Sequence, residues 1–429
     1  MKQKFFYGWY IVISGAMLGW VFSSLMGYGW TAFVGPIIST FGWSMAQVSL
    51  ASSLRSLEIG VFNPLWGPAV DRWPPNWLMR LGVLCASLGL FCLSQMQNLW
   101  MYYLGFLLAG VGSSLATGML PLVVISRWFQ KDIGKANGLF FMGVGLGGVS
   151  VPLVVGLIDR LSWRTTLLYT AIGFFVLGLA ASFVFRSRPQ DYGLEPDGKG
   201  PNRTKKPDSD SDLEFGTPFK EALRMRAFWH IAAVTIFQNA TMSTVMLYAI
   251  PYLTSLGMTR RTAGTTIMLY TLVSLFGRLP FGILADVFKK RYVVALSIGL
   301  QVAGLFLYWL LGGKSPFWAI LLFAIPYGIG ISGVMPLRVP LLVEYFGIKN
   351  FGSILGLTSI FIAMANIICP PLAGWIYDTT RDYKVWWLSL VVLGIAAMIS
   401  ILTIPEAEQR KEPIKAKSLS SAKELLVED

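Results

Sequence analysis

Charge is scarce in this chain of 429 residues. Charged side chains make up 13% of it against 55% hydrophobic, and the mean hydropathy is +0.60. A soluble domain carries about 25% charged residues, so polar groups cannot cover this surface and lipid must. Histidine is rarer still. His230 stands alone at one mouth of the seventh apolar run, and no Ser/His/Asp set or metal-ligand cluster can be assembled from the sequence. Nor is there a nucleotide-binding loop or a soluble catalytic domain. The chain therefore reads as something other than an enzyme, with no cofactor. Cys85, Cys92 and Cys369 lie inside apolar stretches without metal-ligand spacing and read as reduced packing residues. Acids are also few, 22 against 35 Lys and Arg, for a net charge of +13. That excess would suit nucleic acid, but the basic residues fall in short clusters between apolar runs, not along one face.

What the sequence does have is long apolar runs. A helix needs about 20 mainly apolar residues to cross a bilayer while satisfying its own backbone. Twelve runs qualify, at 8–36, 46–70, 77–97, 99–128, 133–158 and 165–186, then 228–256, 262–286, 291–312, 317–345, 351–377 and 384–404. The first, from Tyr7 to Ile38, is too long for a signal-peptide core and is kept as a helix. The stretch Ser187–Phe215 is too polar and too rich in Pro, Gly, Asp and Ser to bury a core, so it reads as a linker. Thr217-Pro218 resembles the start of a short interfacial helix, with Thr217 at the cap. These features predict an all-α integral membrane fold, with six-helix bundles over 1–186 and 228–404, a linker over 187–227 and a tail over 405–429.

Lys and Arg orient the helices. With the N-terminus inside, only Arg160, Arg164, Arg260, Arg261, Lys314, Arg381 and Lys384 fall outside, and Arg55, Arg278 and Arg338 fall within the membrane. The other 25 of the 35 are inside. Both termini and the linker are thus expected to be cytoplasmic, in a multi-pass protein of the cell's inner (plasma) membrane.

The halves repeat. Gly67 and Asp71 close the second run as Gly282 and Asp286 close the eighth, an offset of 215. Around the fifth and eleventh runs the offset is 218, matching Lys131, Gly134, Gly138 and Pro152 to Lys349, Gly352, Gly356 and Pro370. Two like-oriented halves are parallel repeats, with a substrate site near the midplane between them.

Gly67-x-x-x-Asp71-Arg72 resembles the signature loop of the major facilitator superfamily, with Trp73-Pro74-Pro75 where Gly-Arg-Arg usually follows. The aspartate can pair with a basic residue and latch the inner side, and Arg127 is the candidate partner. Four patches resemble the monocarboxylate porter and oxalate/formate antiporter branch. They are Gly8-Trp9, Arg127-Trp128-Phe129-Gln130-Lys131 with Gly134-Lys135-Ala136-Asn137-Gly138, Arg188-Pro189-Gln190-Asp191-Tyr192-Gly193, and Gly277-Arg278-Leu279-Pro280-Phe281-Gly282. The resemblance implies secondary transport, with helices 1, 4, 7 and 10 lining the cavity and an arginine of helix eight holding substrate. On those lining helices Tyr28, Thr117, Asn239, Tyr248 and Tyr327 are the polar or aromatic residues near the midplane. Eukaryotic members carry an aspartate where this chain has Ser274, and a lysine near Tyr28 and Gly29, so their proton route does not transfer.

Charges inside a membrane are costly and mark function by default. Arg278 lies eight residues before Asp286, roughly 12 Å deeper at helical rise, on a stripe with Thr271 and Ser274. Its guanidinium can grip a carboxylate through two parallel hydrogen bonds. Arg338 sits at similar depth and joins that site, answers Glu344 or lines the inner vestibule. Arg55 and Glu58, at i,i+3, form a neutralised pair or make Glu58 the proton-coupling group. The expected function is alternating-access transport of a small organic anion, driven by a proton or a counter-anion. A monocarboxylate is favoured over oxalate, because helix eleven reads Ile360-Phe361-Ile362-Ala363-Met364-Ala365-Asn366 where oxalate exchangers carry a lysine. Multidrug export and anion sensing without transport are the alternatives.

Overall fold

The computed structural model describes residues 6–43, 45–198, 217–258, 260–312 and 316–405. Side chains 31, 45–46, 49, 51–59, 260–264 and 317 lie outside that description, which takes in the Arg55–Glu58 pair. Among the described residues the regular structure is helical, with no strand. Helix α1 runs Tyr7–Gly27 and resumes as Trp30–Phe41. Then come α2 (Met45–Arg72), α3 (Pro75–Ser94), α4 (Leu99–Trp128), α5 (Ile133–Val149 and Val151–Leu161) and α6 (Trp163–Val184). The second half has α7 (Arg226–Ser255), α8 (Arg260–Val287), α9 (Lys290–Leu310), α10 (Phe317–Ser332 and Val334–Phe346), α11 (Phe351–Thr380) and α12 (Lys384–Leu402).

Ten of these helices are long and apolar enough to cross a membrane, and the bent α5 makes an eleventh. The twelfth, α2, has the length at 28 residues, but Gln47, Arg55, Glu58, Asn63 and several serines dilute its apolar character. Its polar character fits its position, because α2 packs along α11 of the other half. The second contact between halves is α5 on α8. Within each half, small residues let backbones close up. Gly89 of α3 lies against Ala109 and Gly105 of α4, and Gly304 of α9 lies against Tyr327 of α10. Such contacts replace hydrophobic driving force, which is absent between helices in lipid.

The expected spans match these helices closely except the first, which continues past 36 to Phe41 after a break at Tyr28-Gly29. Three of the four helices expected to line the cavity are not regular, while α7 runs unbroken. α1 carries a π turn over Ser23–Gly27, α4 carries one over Ser114–Met119, and α10 breaks at Gly333. α5 bends by 45° at Ser150, where Pro152 cannot continue the hydrogen-bond ladder. After the linker, the short helix is one turn, Phe219–Ala222, with Pro218 at its cap. Thr217 does not cap it; its N–H instead donates to Phe346 O at 2.8 Å.

Candidate functional site

The tightest geometry lies at the end of the bundle where Lys and Arg cluster, the basic face. In two places a carboxylate of one half closes on a helix N-terminus of the other. Asp71, on the last turn of α2, accepts from Gly352 N (2.9 Å), Ser353 N (3.0 Å) and Ser353 Oγ (2.9 Å) at the start of α11. Asp286, on the last turn of α8, accepts from Gly134 N (2.6 Å) and Lys135 N (2.7 Å) at the start of α5. First-turn amides have no partner within their own helix, and the helix dipole favours an anion there. Glycine makes the approach possible. A Cβ on Gly67 would stand 2.7 Å from Gly352 O, and one on Gly282 would run into Gly134 O. The repeat that matched Gly67 to Gly282 and Gly134 to Gly352 therefore marks two contacts between the halves on this face.

Arg127, the basic side chain expected to partner Asp71, does pair with it at the long end of an ion pair, and the structure adds a helix N-terminus as the closer partner. Arg127 stands 3.9 Å away, and its guanidinium donates to Val70 O at 3.1 Å. The helix amides, not the arginine, make the short contacts. Two further residues were missed: Ser353, and Asp197, whose carboxylate accepts from Gln130, Lys131 and Asp132 N in the α4–α5 loop. Ser353 sits one residue after a glycine already singled out by the repeat, whereas nothing local in the sequence marks Asp197. Between the halves on this face lies a cavity of about 980 Å³, lined by Arg72, Arg127, Arg188, Lys290 and Lys349 together with Asp71, Asp191 and Glu344. Glu344 pairs with Lys290 at 2.7 Å, so it is not the partner of Arg338.

Deeper in the bundle, Arg278 crosses from one half to the other. Its guanidinium donates to Phe141 O of α5 at 2.6 Å and lies against Gly145, where no side chain would fit. Ser274, on the same stripe, is buried and bonds its own helix at Thr271 O. Arg338 is half-buried and makes no hydrogen bond or ion pair with any described residue. Tyr28 closes the π turn of α1 through its N–H to Ser23 O, and its ring rests on Gly148 of α5. Thr117 lies in the π turn of α4 and bonds Ser113 O. Both π turns thus fall on helices expected to line the cavity, and such turns occur often at functional sites.

The second half uses its candidates differently. Asn239 is buried and bonds Thr235 O, and Tyr248 ties α7 to Pro370 O of α11. Tyr327 is fully enclosed, stacked on Phe323, with its hydroxyl on Thr241 O. It belongs to the core of that half and not to a cavity wall. His230 bonds Ser400 of α12, and no group of three or more His, Cys, Asp or Glu that could hold a metal occurs among the described residues.

Comparison with known proteins matches the Major Facilitator Superfamily over residues 16–259 and 232–427. Similar proteins include monocarboxylate transporter 12 of Rattus norvegicus, 24% identical across 94% of this chain and 86% of that one. Human monocarboxylate transporter 6 is 23% identical over 91% and 80%. Monocarboxylate transporter 4 of Mus musculus is 26% identical over 88% and 79%. Among solved structures, a bacterial homologue of the iron transporter ferroportin shares the fold at a TM-score of 0.71 with 12% identity, covering 92% of this chain and 98% of that one. Two repeated six-helix halves, the Gly67–Asp71 loop and these matches agree: the chain belongs to the Major Facilitator Superfamily and is a multi-pass membrane transporter, not an enzyme.

Proposed function

We propose that the chain is a secondary transporter of a small carboxylate, working by alternating access with the basic face toward the cytoplasm. The observation that carries this is Arg278. It is a permanent cation at membrane depth, placed where the halves meet, with one donor on Phe141 O and its remaining donors uncommitted among the described residues. A guanidinium is suited to hold a carboxylate through a two-pronged contact. Because that arginine bridges α8 and α5, a bound anion would contact both halves, as rocking about a central site requires. In the same reading Asp71 and Asp286 latch the cytoplasmic side, and Arg72 borders its vestibule. Proton coupling is the favoured energy source, with Glu58 as the candidate group.

A lactate-like monocarboxylate fits the apolar run Ile360–Ala365 of α11 and the names of the relatives. Arg338 supports a second reading, exchange of a dicarboxylate, because a cation without a partner among the described residues is answered when a second negative charge enters. Uptake of labelled carboxylates into proteoliposomes, with and without a pH gradient, tests the pair. Lactate should compete better than oxalate or malonate, and Arg278→Lys should lower uptake by about tenfold or more despite keeping the charge. Normal affinity in Arg278→Lys overturns the carboxylate site. A preference for dianions that disappears in Arg338→Gln installs the second reading.

A further inference from the structure

The segment that follows α6 folds back on its own half as a strap. Arg186 lies between the rings of Tyr7 and Tyr192, with its guanidinium carbon 4.3 and 4.2 Å from their centroids. Trp128 donates its indole N–H to Arg186 O at 3.1 Å. The strap then delivers Asp197, a residue in the left-handed region at φ 60°, which aspartate tolerates better than most. Its carboxylate accepts from three successive amides of the α4–α5 loop: Gln130 N at 3.2 Å, Lys131 N at 2.8 Å and Asp132 N at 3.2 Å. Past Ile133, the amides Gly134 N and Lys135 N are those that receive Asp286 from the opposite half. Asp132 stands at the start of α5 but makes no capping bond with its own side chain. Asp197 supplies the carboxylate contact that the side chain of Asp132 does not make.

We propose that Asp197 is a positioning residue for the gate. It holds the loop so that the amide cradle for Asp286 persists when the halves part, and the latch re-forms without reordering the backbone. The proposal rests on the alternating-access reading. When the basic face opens, the Asp286 contacts must break because they cross between halves. The Asp197 contacts need not, because strap and loop belong to one half. A loop held in its bound geometry spares the ordering cost of each closure. The other described end of the linker does a similar thing for the second latch. Thr217 N bonds Phe346 O, and Asn350 Nδ2 donates to Thr217 O, just ahead of the amides that receive Asp71.

The test uses the full-length transporter in lipid nanodiscs, with spin labels at the exposed positions Trp77 and Phe288, one on each half near the basic face. Asp197→Gly removes the carboxylate and keeps the left-handed backbone accessible. It should raise the ratio of open to closed distances about fivefold, and Asp197→Asn, which retains one acceptor, should raise it less. Asp286→Asn should open the face by itself, and adding Asp197→Gly to it should change nothing more, because the cradle then has no guest. A merely structural role would give additive effects in that double variant, and additivity overturns the proposal. So does an unchanged distance in Asp197→Gly when Asp286→Asn does shift it. If Asp286→Asn itself leaves the distance unmoved, the latch reading fails, and the positioning role falls with it.

Discussion

The two carboxylate contacts between the halves share a backbone plan and differ in their side-chain support. At the α2–α11 contact, Asp71 takes two amides and a hydroxyl, and Arg127 stands behind it at 3.9 Å. At the α8–α5 contact, Asp286 takes two shorter amide bonds and makes no ion pair with a described residue. Its loop is steadied from the far side by Asp197. Duplication of a six-helix unit carried across what the backbone needs, a glycine for approach and an aspartate one turn later. The surroundings then diverged, toward a guanidinium in one place and a strap in the other. The comparison predicts that changes to the shared parts will act strongly on both contacts, and changes to the supports weakly on one.

The largest effect should come from the glycines. A valine at Gly282 has to displace the backbone of Gly134, because its Cβ would meet that carbonyl and not the end of a flexible side chain. Overpacking of this kind costs up to about 3 kcal/mol, enough to turn a closed basic face into an open one. Distances across the face should lengthen in Gly282→Val, and in Gly67→Val by less, since the added atom there stands 2.7 Å from Gly352 O. Unchanged distances in both would mean that the halves have room to adjust and that the close approach does not define the closed state.

Neutralising the aspartates should come next. Asparagine keeps one acceptor oxygen but loses the charge that strengthens bonds to helix-end amides. Asp71→Asn gives up more, because three donors meet that carboxylate and Arg127 loses its counterion, so about 2 kcal/mol of closure should go. Asp286→Asn should give up about 1.5 kcal/mol. A cross-linking rate between cysteines placed on either side of the basic mouth would read both. The reverse order would show that the short pair of bonds at Asp286 outweighs the extra donor and the arginine at Asp71.

Much of this was legible in the sequence because membrane helices declare themselves through length and apolarity. The repeat offsets went further and paired Gly67 with Gly282 and Asp71 with Asp286, the residues that later proved to touch the opposite half. What the sequence did not disclose were their closer partners. A backbone amide has no letter of its own, so Arg127, which does pair with Asp71, is legible in the sequence while the closer helix N-terminus is not. Tyr327 failed for a related reason. It lies on α10 as expected, but helical spacing cannot tell a cavity wall from a ring stacked on Phe323 inside one half. The π turns in α1 and α4 also lay out of sight, because Ser23–Gly27 and Ser114–Met119 contain no proline to announce them.

The smallest effect should be that of Arg127→Gln, and it bears most directly on how the α2–α11 latch is built. Both side chains are nearly enclosed, at 9% and 7% exposure, so their attraction is less screened than on an open surface. Against that, 3.9 Å is at the limit of an ion pair, and the arginine's shorter contact is with Val70 O. Glutamine carries an amide N–H of its own that can take over this contact. Arg188 and Lys290 line the same cavity and leave some positive potential near Asp71 after the substitution. The loss should therefore be about 0.5–1 kcal/mol, in the range of weak ion pairs, and it should vanish when Asp71 is already asparagine, since the pair is then broken. The same cross-linking assay, run at low and high salt, would register a twofold to fivefold change. A loss in Arg127→Gln equal to that in Asp71→Asn would reverse the hierarchy drawn here, making the guanidinium the principal partner and the amides of α11 a secondary support.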